Sequence, residues 1–209
     1  MPMPTAKKTP PSKKNTGLIR IIAGYHRARR LPVLVSEGLR PTTDRMKETL
    51  FNWLMHDTTD ANVLDMFAGS GSLGIEALSR YAKSAVFVEK DKRVCEQLTQ
   101  NLITLKETKK STVICDSALA SRMIFTQSYD LVFIDPPYHK GLAQPSLDLL
   151  HLHQSLTKGA KVYVETEAAL SLDLSHYEVL KHKSNTTSHL LLLTPNSLFF
   201  ERSTSAANN

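Results

Sequence analysis

Cysteine is nearly absent from this 209-residue chain: Cys95 and Cys115 are the only two. Two thiols do not make the disulfide framework of a secreted scaffold, and they point to a reducing, cytoplasmic setting. Cys115 closes the β-rich string STVIC and is expected to be a small core residue. No apolar run approaches the roughly 20 residues that a membrane helix needs. The opening MPMPTAKKTPPSKKNTG has no apolar stretch and no arginine, which argues against a secretory signal and against a transit peptide. No internal repeat is visible. The histidines form no metal constellation either. His151 and His153, two apart on a helix, look in different directions, and His182 and His189 add no third ligand, so no metal is expected.

What is present is an uneven charge. Residues 1–47 hold eleven Lys and Arg against Glu37 and Asp44, while the rest of the chain carries 15 basic and 18 acidic side chains. A basic amino-terminal part on a mildly acidic body suggests a polyanionic partner. The lysines from Lys7 to Lys14 serve equally well as a solubilising surface. The arginines around Tyr25 and His26 favour nucleic acid, because guanidinium groups fork onto phosphates. The candidates for that contact are Arg20, Arg27, Arg29, Arg30, Arg40 and Arg45.

Two short strands are expected near 18–23 and 30–35, around a basic turn. A helix follows, capped by Thr43 or Asp44, with Met46, Leu50, Trp53 and Leu54 recurring at helical spacing as a packing face. From Asn62 the pattern alternates. Strands are expected at NVLDMF, SAVFVE, STVIC, YDLVFID and AKVYVET, with helices at 73–82, 91–106, 117–124 and 143–156. Such alternation predicts an α/β fold with a mostly parallel sheet covered on both faces. HYEVLKHKS and HLLLLTPNSLFFE then read as an antiparallel hairpin closing the sheet, for seven strands in all.

Ligands of such sheets sit beyond the carboxyl ends of the strands. The first end reads Asp65-Met66-Phe67-Ala68-Gly69-Ser70-Gly71, and with Gly74 it has the G-x-G-x-x-G spacing of a dinucleotide-binding turn. That spacing alone is a weak signal. Glu89, 18 residues after Gly71, ends the next strand where a carboxylate accepts the hydroxyls of an adenosine ribose. Asp65 separates the ligand classes. It interrupts an apolar strand where a dinucleotide fold has a small or apolar residue, and a buried carboxylate there needs a cationic or hydrogen-bonding partner. The ammonium of S-adenosylmethionine is one. Asp116, at a third strand end, is either an adenine acceptor or the cap of the following helix.

The string YDLVFIDPPY decides the chemistry. Asp135 follows a buried strand, and Pro136 and Pro137 supply carbonyls without N–H donors in a rigid turn. The Asp135 carboxylate and the Pro136 carbonyl can accept the two N–H bonds of a heterocyclic amine and orient its lone pair. Tyr138 can stack on the base, a contact worth about 1–3 kcal/mol. The gain in rate would come from positioning and from stabilising the charge that develops on nitrogen.

LDMFAGSGSLGIEALSRYA, FVEKD and DPPY, together with RIIAGYHRARRLPV and GLRPTTDRMKETLFNWL, resemble the bacterial 16S rRNA (guanine-N2)-methyltransferases of the small ribosomal subunit, over about residues 18–201. The resemblance implies a Rossmann-like class I fold that uses S-adenosylmethionine, releases S-adenosylhomocysteine, and acts as a cytoplasmic monomer on 16S rRNA in assembled or partly assembled 30S particles. It implies cofactor contact at Asp65, Phe67, Ala68, Gly69, Ser70, Gly71, Glu89, Lys90, Asp116 and Ser117, and base handling by Asp135, Pro136, Pro137 and Tyr138. Where the family carries a glycine in its basic turn, this chain has Ala28. The chain is thus expected to divide into a disordered basic tail (1–16), an RNA-facing extension (17–58), the methyltransferase domain (59–201) and a short C-terminal tail (202–209). Three alternatives are weaker. A DNA adenine-N6 methyltransferase shares DPPY but needs a target-recognition domain, for which the stretch after residue 140 is too short. A non-catalytic RNA-binding assembly protein has no use for DPPY. A nicotinamide oxidoreductase is disfavoured by Asp65.

Overall fold

The computed structural model describes residues 16–34 and 44–201. β1 (Thr16–Arg20) and β2 (Arg30–Leu34) pair as an antiparallel hairpin, and α1 (Asp44–Trp53) follows. The alternating part then supplies β3 (Asn62–Asp65), α2 (Ser72–Ser79), β4 (Ser84–Glu89), α3 (Lys92–Leu105) and β5 (Ser111–Cys115). β6 (Tyr129–Ile134), α4 (Ala143–Leu152), β7 (Leu156–Glu167), β8 (Tyr177–Ser184) and β9 (Ser188–Pro195) complete it. The strands form one seven-stranded sheet in the order β5-β4-β3-β6-β7-β9-β8. β3 to β7 are mutually parallel, and β9 alone runs against its neighbours, as the sequence pattern predicts.

Both faces of the sheet are covered. One core joins Val63, Phe87, Phe133 and Tyr163 to α2, α3, α1 and the β1–β2 hairpin. Leu50, Phe51 and Leu54 are its fully buried contributions from α1 and the turn after it, while Met46 and Trp53 pack at its margin. The other core joins Leu64, Val132 and Val162 to α4 and to Phe199. Among the described residues no helix is long and apolar enough to cross a membrane.

The amino-terminal hairpin is docked by charge as well as by apolar contact. Glu76, midway along α2, is fully buried. It accepts the N–H groups of Ile22 and Ala23 at 2.8 and 3.0 Å and pairs with Arg80 Nε at 2.8 Å. Lys47 of α1, 1% exposed, donates to the Arg20 carbonyl; burial, opposed by the charge of Glu76, holds its ammonium below the usual lysine range.

Three expectations are corrected. Residues 117–124 form no α-helix; a turn after Ser117 leads into one 3₁₀ turn, Arg122–Phe125. The buried Ala118, Ser121 and Ile124 there recur every three residues, the spacing of a 3₁₀ turn rather than of an α-helix. The helix begun at Ala143 stops at Leu152 rather than 156. Gln154 adopts φ 51°, and Leu156 is taken into the sheet beside Tyr129. Cys115 lies exposed on the edge strand β5, and Cys95 is the buried thiol, donating to the Glu89 carbonyl at 3.1 Å. The Thr43 cap lies outside the described residues.

Candidate active site

From β3 the chain winds outward through β4 to β5, then returns to place β6 on the other flank of β3. The crevice between the carboxyl ends of β3 and β6 is therefore the switch point where a doubly wound sheet holds its ligand. The register is close: Asp65 pairs with Phe133, and Met66 N–H bonds the Phe133 carbonyl at 3.0 Å. Asp135 thus emerges beside the start of the glycine turn.

That turn is held by carboxylates. Glu89 accepts Gly69 N–H at 3.0 Å on one oxygen and Asp91 N–H at 2.8 Å on the other. A carboxylate has about four acceptor positions, so ribose hydroxyls can share it with the turn. Gly71, at φ 76°, precedes α2 in a left-handed conformation that favours glycine. Gly74 has its own reason: a Cβ there would come within 2.3 Å of the Phe87 ring, so glycine is what lets α2 lie on the sheet.

Asp65 is 2% exposed, and its Oδ2 accepts the N–H of Gly74 at 3.0 Å. Burial pushes its carboxyl up to about 7, with the Glu89 charge adding to the rise and the Gly74 bond opposing it. Among the described residues no cation lies within ion-pair distance of it. Its position leaves a cationic group as its best complement. Phe67 and Ser70 are half-buried, Ala68 and Gly69 buried, and Ala68 N–H ties the turn to the Val88 carbonyl at 2.9 Å. Lys90, Asp116 and Ser117 are exposed along the rim. Asp116 Oδ1 accepts Ser117 N–H at 2.7 Å and caps no α-helix.

On the other side of the crevice Asp135 is half-buried, Pro136 buried and Pro137 exposed. Tyr138 is half-buried and donates its hydroxyl to Glu165 Oε1 at 2.6 Å. The charge of Asp135 is felt at both Tyr138 and Tyr163. A cation-seeking crevice bordered by Asp-Pro-Pro-Tyr can hold a sulfonium amino acid beside an aromatic amine.

A family model described as "Conserved hypothetical protein 95" matches residues 19–194. The ribosomal RNA small subunit methyltransferase D of Haemophilus influenzae is 50% identical over 163 residues, 77% of this chain and 83% of that protein. The protein of the same name from Escherichia coli K12 is 47% identical over 157 residues, 75% of this chain and 79% of that one. A solved structure described as "Putative methyltransferase yhhF from Escherichia coli" superposes with a TM-score of 0.76 at 41% identity, covering 86% of this chain and 99% of that one. The chain belongs to the small subunit methyltransferase D family.

The arginines lie elsewhere. Tyr25 N–H bonds the carbonyl of Ser79, the last residue of α2, at 2.7 Å, and buried His26 meets Glu107, just beyond α3, at 2.8 Å. The turn carrying Arg27, Arg29 and Arg30 therefore sits at the amino edge of the sheet, with all three side chains exposed. α3 has 14 residues, so about 21 Å of helix separates that edge from the crevice. Arg20 and Arg45 are exposed, and Arg40 lies outside the described residues.

Sequence reasoning missed Tyr163, Glu165 and Glu167 of β7. The signal was available: a carboxylate interrupting the end of an apolar strand is what singled out Asp65, and KVYVETE has two.

Proposed function

We propose that this chain transfers a methyl group from S-adenosylmethionine to the exocyclic N2 of a guanine in 16S rRNA, within an assembled or partly assembled 30S particle. The placement of Asp135 beside Asp65, at the ends of neighbouring parallel strands, carries this reading. The donor set fits the cofactor: a buried carboxylate without a cation for the ammonium at Asp65, spare acceptor capacity for the ribose at Glu89, and an exposed acceptor for the adenine at Asp116. Gly69, Ser70 and Gly71, flanked by Phe67 and Ala68, and the rim residues Lys90 and Ser117 complete that pocket. When bound, the cofactor supplies an electrophilic methyl on sulfur.

The chain's own residues do the rest. Asp135 accepts one N–H of the guanine amine and the Pro136 carbonyl the other. This turns the amine lone pair toward the methyl group. Asp135 also stabilises the positive charge that grows on nitrogen, which is where preorganised acceptors contribute most. A strong base is unnecessary, because the methylated ammonium is acidic and loses its proton readily. Tyr138 offers its ring as a stacking surface. Arg20, Arg27, Arg29, Arg30, Arg40 and Arg45 bind the RNA backbone and leave the chemistry to the crevice.

Incubation with methyl-labelled cofactor and 30S particles, free rRNA or DNA, followed by nucleoside analysis, tests this. Label in N2-methylguanosine from 16S rRNA is expected. Label in N6-methyl-2′-deoxyadenosine from DNA would sink the assignment, as would no label in any of the three.

A further inference from the structure

Glu165 has no part in the chemistry above, yet at this edge of the sheet it is almost as closely confined as Asp65. It is 3% exposed, and among the described residues it has no ion-pair partner. Its partners are two tyrosine hydroxyls, Tyr138 at 2.6 Å on Oε1 and Tyr163 at 3.2 Å on Oε2. A buried carboxylate without a cation is costly to keep. Two hydroxyl donors reduce that cost, and an apolar residue would remove it altogether.

The register shows what the carboxylate is placed to do. Ile134 pairs with Val164, so Asp135 and Glu165 are the next residues of adjacent strands beyond the β6–β7 ladder. Tyr138 sits on a turn that follows two prolines and continues through His139 at φ 61°, whose N–H bonds Glu167. Nothing in that turn alone sets the plane of the Tyr138 ring. We propose that Glu165 is a positioning residue for base stacking: by accepting the Tyr138 hydroxyl it fixes that ring beside Asp135, while Tyr163 holds the second oxygen. Burial, reinforced by the Glu165 bond, pushes the Tyr138 hydroxyl up to about 12, so it remains a donor across the working pH range. Anchoring the ring before RNA arrives removes an ordering cost from the step that aligns the amine. The inference rests on Asp135 to Tyr138 being the base-handling turn.

The test is a double-mutant cycle read by single-turnover methyl transfer on 30S particles at saturating cofactor. Tyr138→Phe keeps the ring and loses the hydroxyl, with its bonds to Glu165 and to the Ser188 side chain. It and Glu165→Leu should each slow transfer by about tenfold to a hundredfold, the range for a modest misplacement of reacting groups. The double variant should be no slower than the slower single one, and cofactor affinity should be unchanged in all three. Glu165→Gln, whose amide oxygen still accepts the hydroxyl, should recover most of the rate. Losses that multiply in the double variant would overturn the proposal, because Glu165 would then act other than through Tyr138. A wild-type rate in Tyr138→Phe would overturn it alone, whether or not Glu165→Leu folds. Asp135→Ala separates the two readings. If it is inactive while Tyr138→Phe is at full rate, only the role of Glu165 fails; if it is active, the function proposed for the turn fails with it.

Discussion

The two edges of the sheet carry opposite charge for different purposes. At the carboxyl edge, every one of the five parallel strands ends on a carboxylate or one residue before it: Asp65, Glu89, Asp116, Asp135 and Glu167. At the amino edge, two acids are engaged in internal structure. Glu76 is filled by two backbone N–H groups and Arg80, Glu107 is taken by His26, and Arg27, Arg29 and Arg30 project into solvent. An acidic crevice repels phosphates and attracts a cationic cofactor and the N–H edge of a base. A basic edge does the reverse. On the function proposed above, the molecule would grip an RNA backbone at one end and admit a single base at the other. The grip at the basic edge does not touch the reacting atoms, so affinity and turnover should be separable by mutation.

The largest break in that comparison comes from the joint between the edges. Glu76→Leu leaves the Ile22 and Ala23 N–H groups and Arg80 without their buried acceptor, and Lys47 without the charge that opposes its desolvation. It should lower folding stability by about 3–5 kcal/mol, the usual penalty for removing one side of a buried charged network. Denaturant unfolding measures it, and a loss under about 1 kcal/mol, the scale of an exposed ion pair, would show the hairpin to be held by apolar contacts alone.

The acidic edge is tested by pH. Asp65 in the folded chain titrates at about 7, above its ordinary 3.8, so its contribution to the stability of the ligand-free protein is full below about 4 and is lost as pH rises through 7. Binding of an ammonium needs the ionised form. Cofactor affinity should therefore climb with pH up to about 7, by as much as about tenfold per pH unit. Asp65→Asn should flatten the climb. Calorimetric affinities that stay level in the wild type from mildly acidic to neutral pH would place the ammonium elsewhere.

The basic edge is tested by salt. Replacing Arg27, Arg29 and Arg30 together by Ala should weaken RNA binding and reduce the slope of log affinity against log salt by about 2–3, near one unit for each phosphate no longer neutralised. Cofactor affinity should stay as it was. An unchanged slope would show that this turn faces away from RNA.

A smaller effect sharpens the same edge. Ala28 adopts φ 66°, the left-handed conformation in which glycine is unstrained. Ala28→Gly should raise stability by about 1 kcal/mol without altering the basic surface. A destabilised variant would mean that the entropy of the unfolded glycine outweighs the relieved strain.

The parallel run of strands, the antiparallel hairpin that closes it and the crevice were legible in the sequence because their signals are local and redundant. Val/Ile/Phe-rich strings mark the strands, and the glycines, Glu89 and Asp135 all fall where the strings end. Misjudged elements had weak periodicity, as at 117–124, or boundaries drawn by a neighbouring strand, as at Leu156. The location of the arginine turn was not legible. It depends on Ser79 and Glu107, which lie more than fifty residues further along the chain, and nothing in RIIAGYHRARR says which edge it will meet. Lys47 and Glu76 were hidden for a related reason: each looks like a solvated helix charge until the other element is packed against it.

The central claim is that Asp135 acts on the base during transfer, rather than on either ligand beforehand. Single-turnover methyl transfer on 30S particles by Asp135→Ala, with cofactor and RNA binding measured separately, tests it most directly. The rate should fall by about a hundredfold to a thousandfold, as for removal of one preorganised transition-state acceptor, with both affinities nearly unchanged. Guanine methylation by Asp135→Ala at close to the wild-type rate would contradict it.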